Sequence, residues 1–141
     1  MSGFLLDTNV ISELIKARPD PGVTQWIEAT DENLIYLSVL TLGEIRKGAA
    51  GLANGKRRTH LETWLKVELQ TRFSGRILPI DAAIADRWGF LAAEAKRKGK
   101  PLSIIDGFLA ATALHHNLTV VSRNANDFKN TPAQVLNPWE A

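Results

Sequence analysis

The sequence predicts an α/β fold, a three-layer α/β/α sandwich around a mostly parallel sheet. Two observations carry that expectation. Short apolar runs of strand length alternate along the chain with longer stretches whose apolar residues recur at helical spacing, as in strands joined by crossover helices. The runs themselves are almost wholly apolar, which suits strands covered by helices on both faces. Right-handed crossovers are then expected.

Taken in order, Phe4-Leu5-Leu6 suits a buried strand that Asp7 closes. Val10, Ile11, Leu14 and Ile15 recur at helical spacing, and the stretch from Pro19 to Gly22 ends that helix. Trp26 and Ile27 mark a short second helix, and Leu34-Ile35-Tyr36-Leu37 reads as the second strand. Helical segments follow at about 42–52 and about 59–73. Arg76 to Ile80 forms a third strand, peripheral because Pro79 cannot donate to a ladder. A long helix over roughly 82–98 stops near Gly99 and Pro101. Ser103 opens a helix reaching about His116, before the β-branched strand Leu118-Thr119-Val120-Val121. No repeat, low-complexity tract or linker divides the chain, so residues 1–141 are expected to form one domain.

Composition narrows the class further. The chain is 45% hydrophobic and 23% charged, an ordinary globular balance that argues against disorder. It has no cysteine, which excludes disulfides and thiolate-held zinc. No basic leader with a cleavage site opens the sequence, and no apolar run approaches the ~20 residues needed to span a bilayer. A cytoplasmic protein without a membrane partner is expected. The net charge of +2 does not by itself announce a nucleic-acid binder. Two basic blocks, Lys56-Arg57-Arg58 and Lys96-Arg97-Lys98 with Lys100, read first as solvated surface, yet could attract phosphate toward an acidic pocket.

The chemistry is expected at three acids. Ligands of open α/β sheets bind outside the carboxyl ends of the strands. Asp7 stands at such an end, and Glu44 is expected in the first turn of the helix after the second strand. Asp106 begins the helix that feeds the last apolar strand, and Asn124 and Asp127 follow that strand. These groups converge on one rim if the Asp106 helix starts over the top of the sheet. A plainer alternative is helix capping. Thr41-Leu42-Gly43-Glu44 and Ser103-Ile104-Ile105-Asp106 both fit a capping box, and Asp7 could cap the helix beginning at Thr8. Two features weigh against caps alone. The Asp106 helix is apolar on nearly every side, so a carboxylate there needs a partner. Small residues (Gly43, Gly48, Gly107 and Ala110) leave room beside the acids. Mutually repelling carboxylates are relieved by a hard divalent cation, and all-oxygen ligation favours Mg²⁺ or Mn²⁺ over zinc. His60, His115 and His116 are poorly placed to compete as ligands.

These residues resemble the PIN-domain family, most closely its VapC/FitB-like toxin branch. The matching pieces are Leu5-Leu6-Asp7-Thr8-Asn9-Val10-Ile11-Ser12-Glu13, Leu37-Ser38 with Leu42-Gly43-Glu44-Ile45, and Asp106-Gly107-Phe108-Leu109-Ala110-Ala111-Thr112-Ala113. Leu118-Thr119-Val120-Val121-Ser122-Arg123-Asn124, Asp127-Phe128 and Asn137-Pro138-Trp139 complete the set, which runs over essentially the whole chain. The resemblance implies a PIN-like fold and a Mg²⁺- or Mn²⁺-dependent endoribonuclease, the toxin of a toxin–antitoxin pair. Asp7, Glu44 and Asp106 then serve as catalytic and metal-holding residues, with RNA as substrate, a cognate antitoxin and a homodimer as partners. It also implies that the apolar stripe from Leu61 to Phe73, otherwise core, helps dimerise and receives the antitoxin. A fourth acid is common in the family after the last motif strand. Here Asn124 holds that position, with Asp127 the nearest carboxylate, while Thr8 and Ser122 are candidate supporting hydroxyls. The missing acid motivates an alternative, a non-catalytic PIN-like module that binds RNA or protein. A phosphotransfer or receiver-like domain with Asp7 as acceptor fits less well, because Asn9 stands where a second Asp would be wanted. The four tryptophans are expected to pack in or beside the core.

Overall fold

The computed structural model describes residues 3–140, and its centre is a five-stranded sheet in the order β3-β2-β1-β4-β5. The strands are β1 (Gly3–Leu6), β2 (Ile35–Ser38), β3 (Ile77–Leu78), β4 (Leu118–Val121) and β5 (Val135–Leu136), and every pairing is parallel. The helices are α1 (Thr8–Leu14), α2 (Pro21–Ala29), α3 (Val39–Ala50), α4 (Lys56–Thr63), α5 (Gln70–Arg72), α6 (Ala82–Arg97) and α7 (Ile104–His116). A π-helical stretch, Trp64–Leu69, joins α4 to α5. No described helix is long and apolar enough to cross a membrane.

Three layers follow from the two-residue period of the strands. In β1, Leu5 and Leu6 are both fully buried but belong to different cores. Leu6 packs with Val10, Ile11, Val23, Ile45, Leu65 and Phe73 on the α1–α5 side, whereas Leu5 packs with Ile84, Leu91, Leu109 and Phe128 on the α6/α7 side. Val120 and Val121 of β4 divide in the same way. A strand whose successive side chains both leave water must be apolar throughout, which accounts for the continuous runs in the sequence.

β3 is an edge strand, as Pro79 requires, and its ladder covers only Ile77 and Leu78. The opposite edge, β5, was not foreseen. Two apolar residues between Gln134 and Asn137 are too few to show periodicity. α3 begins at Val39, where Ser38 caps it by accepting the Leu40 N–H at 3.1 Å. The expected start near residue 42 and the Thr41–Glu44 capping box are therefore incorrect: Thr41 is a fully buried residue inside the helix, and Glu44 lies in its second turn. α4 likewise begins at Lys56, earlier than expected.

The packing of α6 on α7 corrects a second expectation. A Cβ on Gly107 would stand 2.9 Å from the Trp88 indole, so this glycine makes room for a neighbouring side chain, not for a ligand. Trp88 in turn stacks on Phe108, with ring centroids 4.7 Å apart and planes 8° from parallel. Trp26, Trp64 and Trp139 pack against the other core, as expected of them.

Candidate active site

β1 lies where the strand order reverses, with β2 on one side and β4 on the other. Chains leaving neighbouring strands in opposite directions open a crevice at the carboxyl ends. A cleft of about 530 Å³ lies there, lined by Asp7, Glu44, Asp106 and Asn124 among others. The topology thus brings together residues from nearly opposite ends of the sequence, Asp7 and Asn124 among them.

Asp7 is buried and fully engaged. Its peptide N–H donates to Val121 O at 2.9 Å, tying it to β4. One carboxylate oxygen accepts the Thr8 N–H at 2.7 Å, which makes Asp7 the cap of α1. The other accepts the hydroxyl of fully buried Ser122 at 2.8 Å. The capping reading and the site reading therefore both hold for this residue. Burial pushes the Asp7 carboxyl above its usual range, and the negative fields of Asp106 and Glu44 add to the shift. The Ser122 and Thr8 hydrogen bonds oppose it without reversing it.

Glu44 reaches the cleft from α3 and accepts a short hydrogen bond from the Thr8 hydroxyl. That hydroxyl also lies 3.5 Å from Thr41 Oγ1, so Thr8 links the starts of α1 and α3. Asp106 enters from α7. The Ser103 hydroxyl caps the helix by accepting the Asp106 N–H at 3.2 Å, as the sequence suggests. Asp106 is half-buried, and Ile104 beside it is 64% exposed, so the first turn of α7 is a rim and not the enclosed helix expected from its apolar sequence. Its carboxyl is nonetheless raised, first by desolvation and then by the fields of Asp127 and Glu44.

Asn124 lines the cleft, with its N–H donating to Ser122 Oγ at 3.0 Å. Asp127 faces Asp106 from an adjoining hollow that also holds Lys100, a member of the second basic block. None of the three histidines lines the cleft. Neither Asp7, Glu44 nor Asp106 has an ion-pair partner among the described residues. The acids are neighbours without forming a closed cage: among the described residues no three acidic or histidine side chains are gathered tightly enough to hold an ion by themselves. Asp7 is held by Ser122 and the Thr8 N–H, and Glu44 by the Thr8 hydroxyl. Such an open, all-oxygen set suits Mg²⁺, which keeps several waters and takes only one or two carboxylates.

Sequence reasoning gave no site role to several further lining residues, Glu13, Lys16, Arg123 and Trp139 among them. Glu13 is buried and accepts from Lys16 Nζ and from the Asp20 N–H, each at 2.9 Å. The Lys16 and Asp20 hydrogen bonds hold its carboxyl below the usual range. An acid and a lysine three positions apart, at the end of α1 and just beyond it, were the available signal.

The chain is similar to known proteins over nearly its whole length. The PIN domain family model matches residues 4–134. The chain is 42% identical over 137 residues to VapC ribonuclease Y4jK of Sinorhizobium fredii, covering 97% of this chain and 98% of that protein. It is 40% identical over 136 residues to toxin FitB of Neisseria gonorrhoeae, covering 96% and 98%. A crystal structure of FitAcB from the same organism superposes with a TM-score of 0.92 at 39% identity, over 98% of this chain and 99% of that one.

Proposed function

The chain belongs to the PIN-domain family, and from that premise we propose that it is a divalent-cation-dependent endoribonuclease, the toxin of a toxin–antitoxin pair. Its catalytic and metal-holding side chains are Asp7, Glu44 and Asp106. One observation carries the reading: three carboxylates with no ion-pair partner among the described residues line one cleft, and burial holds two of them above their usual pKa. Buried like charges are costly unless something positive joins them. Likeness to a protein named a ribonuclease supplies the reaction class, and likeness to toxin FitB supplies the biological role.

Asp7 and Asp106 would hold Mg²⁺ or Mn²⁺, with Glu44 holding it too or orienting the attacking water. When bound, the ion supplies positive charge to the phosphoryl oxygens and lowers the pKa of a nearby water. The chain's own part is positioning. Ser122 and the Thr8 N–H fix the two oxygens of Asp7, Thr8 Oγ1 fixes Glu44, and Ser103 caps the helix turn that carries Asp106. The N-terminus of α7 adds favourable potential for a phosphate. Asn124 offers an uncharged carbonyl where a fourth acid would stand, which favours one tightly held ion over two. The partners are RNA, an antitoxin that blocks the cleft, and a second copy of the chain in a homodimer, all in the cytoplasm.

The purified chain should cut a mixed RNA pool at internal sites with Mg²⁺ or Mn²⁺ and leave it whole with chelator. Intact RNA in both arms would sink the nuclease reading, and cutting that survives chelation would sink the metal. The Asn124 substitution supports a second reading, a module that binds without cutting. Retained RNA with no cleavage in the metal arm is its signature.

A further inference from the structure

Two cations line the acidic cleft, and the structure treats them differently. Lys16 is paired: its Nζ lies 2.9 Å from Glu13 Oε1. Arg123 is not. Its guanidinium makes no hydrogen bond or ion pair with any described residue, although carboxylates line the same cleft. It lies instead over the Trp139 ring, 5.5 Å from the centroid. An aromatic face attracts a guanidinium while leaving its in-plane N–H donors available.

The surroundings hold this arrangement in place. The Arg123 N–H donates to Asn9 Oδ1 at 3.3 Å, and its carbonyl accepts from Asn137 Nδ2 at 3.2 Å. Asn137 Oδ1 accepts the Trp139 N–H at 2.9 Å. The intervening Pro138 carbonyl packs so closely on α2 that a Cβ on Gly22 would meet it at 2.6 Å. Arginine and ring are thus placed from α1, α2 and the segment after β5. A cleft lined by acids repels a polyanion, so an RNA strand needs a positive group on the protein to enter and settle.

We propose that Arg123, supported by Trp139, grips a backbone phosphate of the RNA beside the acids. The proposal rests on the ribonuclease reading and deepens it by naming the residue that orients the substrate. The planar guanidinium fork matches a phosphate bidentately, which an ammonium cannot do.

Binding of a labelled single-stranded RNA is measured by fluorescence anisotropy with Mg²⁺ across a salt series, all variants carrying Asp7→Asn so that binding is read without cutting. Arg123→Ala should weaken binding about tenfold and flatten the slope of log affinity against log salt by about 0.7, the share of one phosphate on a single strand. Arg123→Lys should keep the slope but recover only part of the affinity. Trp139→Leu should fall between them, and the melting temperatures of the two Arg123 variants should match the parent's. An Arg123→Ala variant with the parent's affinity and slope would overturn the proposal. A cut-free RNA pool with the unaltered chain and Mn²⁺ counts against the nuclease reading alone, because the binding series still decides the role of Arg123.

Discussion

Glu32 and Asp7 are both acids fixed by several hydrogen bonds, yet their surroundings have opposite electrostatics. Near the β2–β3 edge, Arg72 meets Glu32 through two nitrogens at 3.0 and 3.1 Å, and Arg76 adds a third contact at 3.0 Å. Arg76 also donates to the carbonyls of Glu32 and Ile35, each at 2.6 Å. The Arg72 hydrogen bond and then that of Arg76 hold the Glu32 carboxyl below its ordinary range. In the cleft, Asp7 receives neutral donors only and faces two other acids, and its carboxyl is held high. The chain therefore gives ion-pair partners to an acid that serves the fold and none to Asp7, Glu44 or Asp106 among the described residues. A site left short of positive charge is one that an ion from solution can complete.

The contrast breaks most sharply at Asp7. Asp7→Asn should lower RNA cleavage by on the order of a thousandfold, since several kcal/mol of charge stabilisation goes with the ion. Circular dichroism should show the fold intact. Cleavage within tenfold of the parent would remove Asp7 from the site.

Ser122→Ala tests whether the neutral donors matter. It frees one oxygen of Asp7 and should cost about 10–100-fold in metal affinity or cleavage, as loss of a ligand's supporting hydrogen bond does. Unchanged Mg²⁺ dependence of the rate would make Ser122 a packing residue only.

Asp106→Asn addresses the half-buried member. Magnesium at about 100 times its Kd should stabilise the unaltered chain by about 2.7 kcal/mol, and this variant should lose that response. The pH dependence has a definite sign. Because the folded pKa of Asp106 is raised from 3.8, its stabilising contribution is full below that value and is lost as pH rises through the folded pKa. Without metal, the variant should melt above the parent near neutral pH, and the gap should close as pH falls toward 3.8. A gap that widens on acidification would contradict the assignment.

Glu32→Gln is the smallest change and the control. Glu32 is partly exposed, so the loss should be about 0.5–1 kcal/mol of stability, read by urea unfolding, with cleavage unaffected. Its sign is reversed: the folded pKa lies below 4.5, so the contribution is present above that pH and disappears as pH falls through the folded value.

What the sequence disclosed depended on how local the signal was. β1, β2 and β4 were legible because each is a four-residue strand apolar enough to stand out, and Pro79 marked β3 as an edge. β5 was hidden by its brevity. Asp7 could be located because it ends a strand, whereas Glu44 was assigned to the wrong turn because Thr41 imitates a cap that Ser38 provides. Gly107 was misread because its partner, Trp88, is on another helix. The unpaired state of Arg123 depends on Trp139, Asn9 and Asn137, and nothing local encodes it.

The division of Leu5 and Leu6 between two cores has a bearing on how such a site could arise or be lost. Sliding β1 by one residue would invert both leucines at once and carry the Asp7 carboxylate off the Ser122 hydroxyl. Insertions and deletions within β1 are thus penalised by folding before any chemistry is tested, so the arithmetic of a four-residue strand keeps the reactive acid in frame.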